Sequence, residues 1–220
     1  AAKPYLHIES FRKELLSNKE VIEVKDPGAG SKRLKKPQRR ICDIASASLS
    51  PPKLSALYHR IIQHSNARNI LELGTSLGIN TLYLAKEKNT TVYTFEGEPS
   101  IAHLARSQFH TAGISNIHLI EGNIDKTLLP FLASMQKFDL VIMDANHRYK
   151  STMQYFSQIL PHLHNKSIVV IDDIHYSAEM KRAWEEIKVH RLVYGTADLF
   201  RCGLAFFDPS LNKQNVVLQF

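Results

Sequence analysis

The chain has 220 residues, 44% hydrophobic and 22% charged, with a formal net charge of +7 and two cysteines. That is enough for one domain with a sizeable core and a small extension, in a composition ordinary for a soluble globular protein. It excludes a disulfide framework, and no apolar run approaches the roughly 20 residues of a membrane span. No secretory pattern is read at the start, Cys42 and Cys202 form no CxxC, and a reducing, cytoplasmic setting is expected. The start at Ala1-Ala2, without methionine, is expected of a trimmed chain.

Residues 3–24 pattern as a short helix around Ile8 to Leu16, then a small strand at Val21 to Val24. Asp26-Pro27-Gly28-Ala29-Gly30-Ser31 breaks regular structure, and Lys32, Arg33, Lys35, Lys36, Arg39 and Arg40 crowd behind it. A flexible basic loop over 25–40 is expected, fit for a lid or for gripping an anionic partner. A solvated face is the bland reading, and no interleaved aromatics favour base stacking. Ser50-Pro51-Pro52 reads as a helix start with Ser50 as N-cap, followed by Leu54, Leu57, Tyr58, Ile61 and Ile62 on one face. Residues 1–50 are thus expected as an N-terminal extension and 51–220 as the main domain.

From Arg68 the chain alternates strands near 68–73, 91–96, 116–120, 138–144 and 166–172 with helical segments between them. Gly113 is placed as a helix C-cap. Strands joined by helical crossovers imply an α/β fold with a doubly wound, mostly parallel sheet. After a helix at 177–189, β-rich segments at 191–198, 202–208 and 215–219 predict antiparallel C-terminal strands. In the 177–189 helix, Trp184 falls into pattern with Met180 and Ile187, as for core packing.

Ligands of such sheets bind at the carboxyl ends of the strands. Here those ends deliver Glu72 and a glycine turn, then Glu96 and Glu98, then Asn123 and Asp125, then Asp144 and His147, and finally Asp172, Asp173 and His175. The turn is Gly-x-x-x-Gly from Gly74 to Gly78, neither the dinucleotide spacing nor a phosphate loop. Glu72 just before it would repel a phosphate but suits an amino group. Glu96, at the end of the second strand, can accept hydrogen bonds from a ribose diol. An adenosine with an amino-acid tail, S-adenosylmethionine, fits both.

Glu72-Leu73-Gly74-Thr75-Ser76-Leu77-Gly78 resembles the first motif of class I S-adenosylmethionine-dependent methyltransferases, in the form typical of the catechol O-methyltransferase-like small-molecule enzymes. The likeness runs from about Arg68 to the C-terminus. It implies a Rossmann-like methyltransferase fold with a seven-stranded sheet. It also implies cofactor contacts at Glu72, Gly74, Ser76, Gly78, Glu96 and Asp144, with Asn123 and Asp125 against the adenine. For the last two, turn and cap formation is the alternative.

In catechol-type enzymes an acid ending the fourth strand and an acid–amide pair ending the fifth hold a divalent cation. Asp144 and the Asp172-Asp173 pair match those positions, with aspartate replacing the amide, so Mg²⁺ or a similar ion is implied. Where that family places a lysine base, this chain has His147, as in some sugar- and macrolide-directed O-methyltransferases. His147 is read as the base, with a loop cap or a metal ligand as the other readings. His175 lines the same pocket or is a surface histidine. The expected function is O-methylation of a small molecule, with an anionic acceptor and a homodimer among the expectations. The rival functions are a nucleic-acid (RNA) methyltransferase gripping phosphates through the basic segment and a non-catalytic S-adenosylmethionine-binding protein. The first lacks the Asn/Asp-Pro-Pro-Tyr type of motif used on base amino groups.

Overall fold

The structure, a computed structural model, describes residues 3–25 and 36–219. In chain order the elements are α1 (Leu6–Ser17), β1 (Val21–Glu23), β2 (Gln38–Arg40), α2 (Ile41–Ser48), α3 (Pro52–Ser65), β3 (Asn69–Leu73), α4 (Ile79–Leu84), β4 (Thr91–Glu96) and α5 (Pro99–Thr111). They continue with β5 (Ile117–Glu121), α6 (Ile124–Ala133), β6 (Phe138–Met143), α7 (Tyr149–Ile159), β7 (Leu163–Asp172), α8 (Ala178–Lys188), β8 (Gly195–Asp198), β9 (Cys202–Phe206) and β10 (Gln214–Val217). The turn expected at 26–31 and the basic residues Lys32, Arg33 and Lys35 lie outside the described residues.

The chain forms two compact units. One comprises the described residues up to Arg68 with Gly74–Thr127, the other Asn69–Leu73 with the chain from Leu128 onward. In the first, Ile8, Phe11 and Leu15 recur at helical spacing along α1 and face inward. They join Ile41, Ile44 and Ala45 of α2 and Leu77, Ile79, Leu82, Tyr83 and Phe109 in one buried cluster. Each such large apolar side chain contributes roughly 1.5–3 kcal/mol on burial. Within this unit α1 and α2 thus share a core with α4 and α5.

Several local expectations change here. β2 pairs antiparallel with β1, Val21 opposite Arg40, so the basic segment ends in a strand and not a loop. Arg39 is 7% exposed and donates from Nε to the Lys36 carbonyl. Ser50 does not cap α3, which begins behind Pro51 with no side-chain cap; its carbonyl accepts from Arg12 Nη1 at 2.7 Å. On α3 the buried face is Leu54, Tyr58 and Ile62 with Ser55 and His59. His59 is satisfied inside the unit, Nδ1 lying 2.9 Å from Tyr5 Oη and Nε2 2.8 Å from Glu87 Oε1. Gly113 follows α5 at φ +67, as expected of a helix-ending glycine. β4 and β5 pair in parallel.

In the second unit β3 and β6 pair in parallel, as do β6 and β7. β9 runs antiparallel between β7 and β8. β10, expected within an antiparallel addition, pairs parallel with β8. The class is as expected, a mostly parallel α/β sheet with flanking helices. Trp184 of α8 is core: a Cβ on Gly203 of β9 would meet its ring at 2.5 Å, so glycine is what lets the indole lie against the strand.

Candidate active site

In the first unit the glycine turn is built on backbone geometry that side chains resist. Gly74, Ser76 and Gly78 have φ of +109, +48 and +81. The amides of Gly74 and Thr75 donate to the Phe95 carbonyl at 3.2 and 2.9 Å, and Gly78 N donates to Thr75 O at 3.0 Å. Thr75 and Thr94 hydroxyls meet at 2.6 Å. A Cβ at Gly78 would lie 2.6 Å from Phe109 Cε1, so packing and φ both demand glycine.

Glu96 closes β4 beside this turn. Its Oε2 accepts from Ser76 N at 2.8 Å and its Oε1 from Glu98 N at 2.9 Å. Burial raises its pKa above the ordinary carboxylate value, opposed by the backbone hydrogen bonds. Glu98, also buried, caps α5 and accepts from Lys25 N at 2.9 Å. Asn123 acts as a cap too: its Oδ1 accepts from Asp125 N at 2.9 Å and its carbonyl from Lys126 and Thr127 at the start of α6. Gly122 N donates to the Glu96 carbonyl, which seats that cap beside the end of β4. Asp125 is exposed in the first turn of α6.

The second unit holds the acids. Glu72 is fully buried in β3, and Asp144 N donates to Leu73 O at 2.9 Å where β6 ends. Burial first, then the charges of Asp172, Asp173 and Glu72, push the Asp144 pKa well above its usual range, with Arg201 pulling the other way. Asp172 is 1% exposed; burial raises its pKa, Arg201 opposes this, and its Oδ1 has no hydrogen-bond partner. His147 Nε2 lies 3.4 Å from Asp144 Oδ1. His175 Nε2 pairs with Asp198 Oδ2 at 2.9 Å, and Asp198 Oδ1 accepts from Phe200 N at 2.7 Å.

Positive φ marks this region: Asn146 at +62, His147 at +22, Asp173 at +53 and Phe200 at +67, none of them glycine. Non-glycine residues held in this way cost of order 1–3 kcal/mol each and concentrate at functional sites. The residues that sequence reading missed are Arg201 and Asp198. Arg201 Nη2 sits 3.8 Å from both Asp172 Oδ2 and Asp173 Oδ1. The pairing of Asp172 with Cys202 across β7 and β9 brings it there, a non-local register with no signature in the sequence.

The chemistry of the acids fits a hard cation: oxygen donors in excess of positive partners, one with an orphaned buried oxygen. As the side chains stand, no three His, Cys, Asp or Glu among the described residues are gathered closely enough to chelate an ion.

Residues 71–174 match a family model described as a methyltransferase domain. The chain is 31% identical over 111 residues to a catechol O-methyltransferase of Mycobacterium tuberculosis, covering 49% of each chain. Over 101 residues it is 29% identical to a protein-L-isoaspartate O-methyltransferase of Pyrococcus abyssi, covering 46% of this chain and 45% of that one. It spans about half the length of these curated relatives. A solved O-methyltransferase of tomaymycin synthesis from Streptomyces achromogenes, in complex with S-adenosylmethionine, superposes with a TM-score of 0.64 at 23% identity, over 74% of this chain and 82% of that one.

The mostly parallel sheet and these likenesses give the chain the α/β fold of known methyltransferases, with residues 71–174 matching the methyltransferase-domain model. Within that class the chain resembles O-methyltransferases, catechol O-methyltransferase among them. No helix among the described residues is long and apolar enough to cross a membrane.

Proposed function

We propose that this chain is an S-adenosylmethionine-dependent O-methyltransferase acting on a small-molecule hydroxyl. The hydrogen bond from Ser76 N to Glu96 Oε2 carries the reading, because it fixes a ribose-binding acid against the glycine turn. By the resemblance, Glu72 would take the amino group of the methionine portion, and the turn through Gly74, Ser76 and Gly78 would lie against the cofactor. Glu96 would hold the ribose hydroxyls, and the capped turn at Asn123 and Asp125 would flank the adenine. By the resemblance, Asp144 would also contact the cofactor.

Methyl transfer is an in-line displacement. The acceptor oxygen forms a bond to the methyl carbon as the carbon–sulfur bond breaks, leaving S-adenosylhomocysteine, and the hydroxyl proton must go to a base. His147 takes that proton, and Asp144, 3.4 Å from its Nε2, stabilises the imidazolium. Asp144, Asp172 and Asp173 would hold a divalent cation such as Mg²⁺, which when bound lowers the pKa of the acceptor hydroxyl. The basic segment over 25–40 would favour an acceptor carrying negative charge, and residues 1–50 would serve as an extension that selects it. A cytoplasmic homodimer is the setting this reading carries.

The test is methyl transfer from S-adenosylmethionine to a panel of phenolic, sugar and acidic hydroxyl compounds, read as S-adenosylhomocysteine and methylated product by mass spectrometry. Product from at least one class is expected. Neither product nor cofactor binding would end the proposal.

A further inference from the structure

In the second unit, Asp172 and Asp173 end β7 side by side, Asp172 almost wholly buried and Asp173 26% exposed at its side chain. The acids Glu72 and Asp144 add to the same field. One guanidinium answers the pair: Arg201 Nη2 stands at an equal 3.8 Å from Asp172 Oδ2 and Asp173 Oδ1, with the rest of the side chain 44% exposed. That separation is ionic and not a hydrogen bond.

The backbone holds Arg201 in this place. Its carbonyl accepts from Ile174 N at 3.2 Å, and its own amide donates to Leu199 O at 2.8 Å. Phe200 before it is fixed at φ +67 by its bond to Asp198. The turn between β8 and β9 thus presents the guanidinium to the aspartates as a built feature. Asp172 Oδ1, on the far side of its carboxylate from the oxygen nearest Arg201, is buried without a partner. A buried carboxylate oxygen left so is costly and points to a further positive or donor ligand.

We infer that Arg201 is the resident cation of the Asp172–Asp173 pair and holds down the affinity of the acid cluster for divalent ions. A positive charge placed beside both carboxylates repels a second cation brought to the same pair. Arg201 is a positioning residue: it orients the pair and sets the threshold at which an ion joins it. The inference rests on the proposed ion site at Asp144, Asp172 and Asp173, and not on turnover.

The experiment titrates Mn²⁺ into metal-free protein by calorimetry, using the full chain as wild type, Arg201→Met, Arg201→Gln and Arg201→Lys. Far-ultraviolet circular dichroism and melting curves establish folding, and Arg201→Gln is the second charge-removing variant should Arg201→Met not fold. Removal of the charge is expected to tighten one-site Mn²⁺ binding by about tenfold or more, while Arg201→Lys stays near wild type. Equal or weaker binding in folded charge-removing variants, or no Mn²⁺ binding in any of them, overturns the inference. S-adenosylmethionine titrated into the same samples separates the two readings. Cofactor binding without the Mn²⁺ difference sinks only the role of Arg201, and its absence sinks the methyltransferase proposal instead.

Discussion

Glu96 and Asp172 are both carboxylates at the ends of parallel strands, yet the two units treat them differently. Glu96 is held by backbone amides, one of them from the glycine turn, and the turn is tied to Phe95 by two more hydrogen bonds. Asp172 has a distant guanidinium near one oxygen, no hydrogen-bond partner on the other, and the charge of Asp173 beside it. A preorganised backbone needs no ligand to complete it, whereas a surplus of buried negative charge does. The first arrangement suits recognition of a constant group, the cofactor. The second suits chemistry, where protons and ions arrive and leave.

The comparison is broken most severely at the acids. His147→Ala should lower kcat by about 10²–10⁴-fold, the usual contribution of a positioned general base, with little change in cofactor affinity. Steady-state kinetics beside a cofactor titration checks both halves. If cofactor affinity falls as far as kcat, the division of labour between the two regions is wrong.

On the backbone side, Gly78→Ala forces a Cβ to within 2.6 Å of Phe109 at φ +81. A loss of about 1–3 kcal/mol in chemical denaturation is expected, from backbone strain and crowding together. A variant as stable as wild type would mean that the turn is softer than its hydrogen bonds imply.

The smallest and most diagnostic effect is a gain. Asp144 is held above its usual 3.8 in the fold, by burial and by Asp172, Asp173 and Glu72, so ionising it penalises the folded state. The penalty is complete above the raised folded pKa, fades as pH falls through it and is gone below the unfolded value. Asp144→Asn should therefore melt higher than wild type in metal-free buffer at alkaline pH, with the advantage shrinking toward acid pH. A variant that melts lower at alkaline pH would show that the acid is paired better than its surroundings suggest.

What could be read from the sequence follows the range of the forces. The β3 strand and its glycines, the strand ends at Glu96 and Asp144, and the core role of Trp184 depend on short patterns, and the structure places each where pattern puts it. α2 was not foreseen, because three buried residues, Ile41, Ile44 and Ala45, over eight positions leave little periodicity to detect. The β1–β2 pairing joins segments some 15 residues apart across a stretch that reads only as basic and glycine-rich. The partners His59, Asp198 and Arg201 acquire depend on tertiary register. Acids announce themselves by position at strand ends, but the cation beside them comes from the turn between β8 and β9.

The central claim is that the Gly74–Gly78 turn and Glu96 form a cradle for S-adenosylmethionine. Calorimetric titration of the cofactor into wild type and Glu96→Ala tests it most directly. The account predicts one-site binding in wild type, weakened about 10-fold or more in the variant as hydrogen bonds to a charged acceptor are lost. Absence of binding in wild type, or equal affinity in a folded variant, would contradict it.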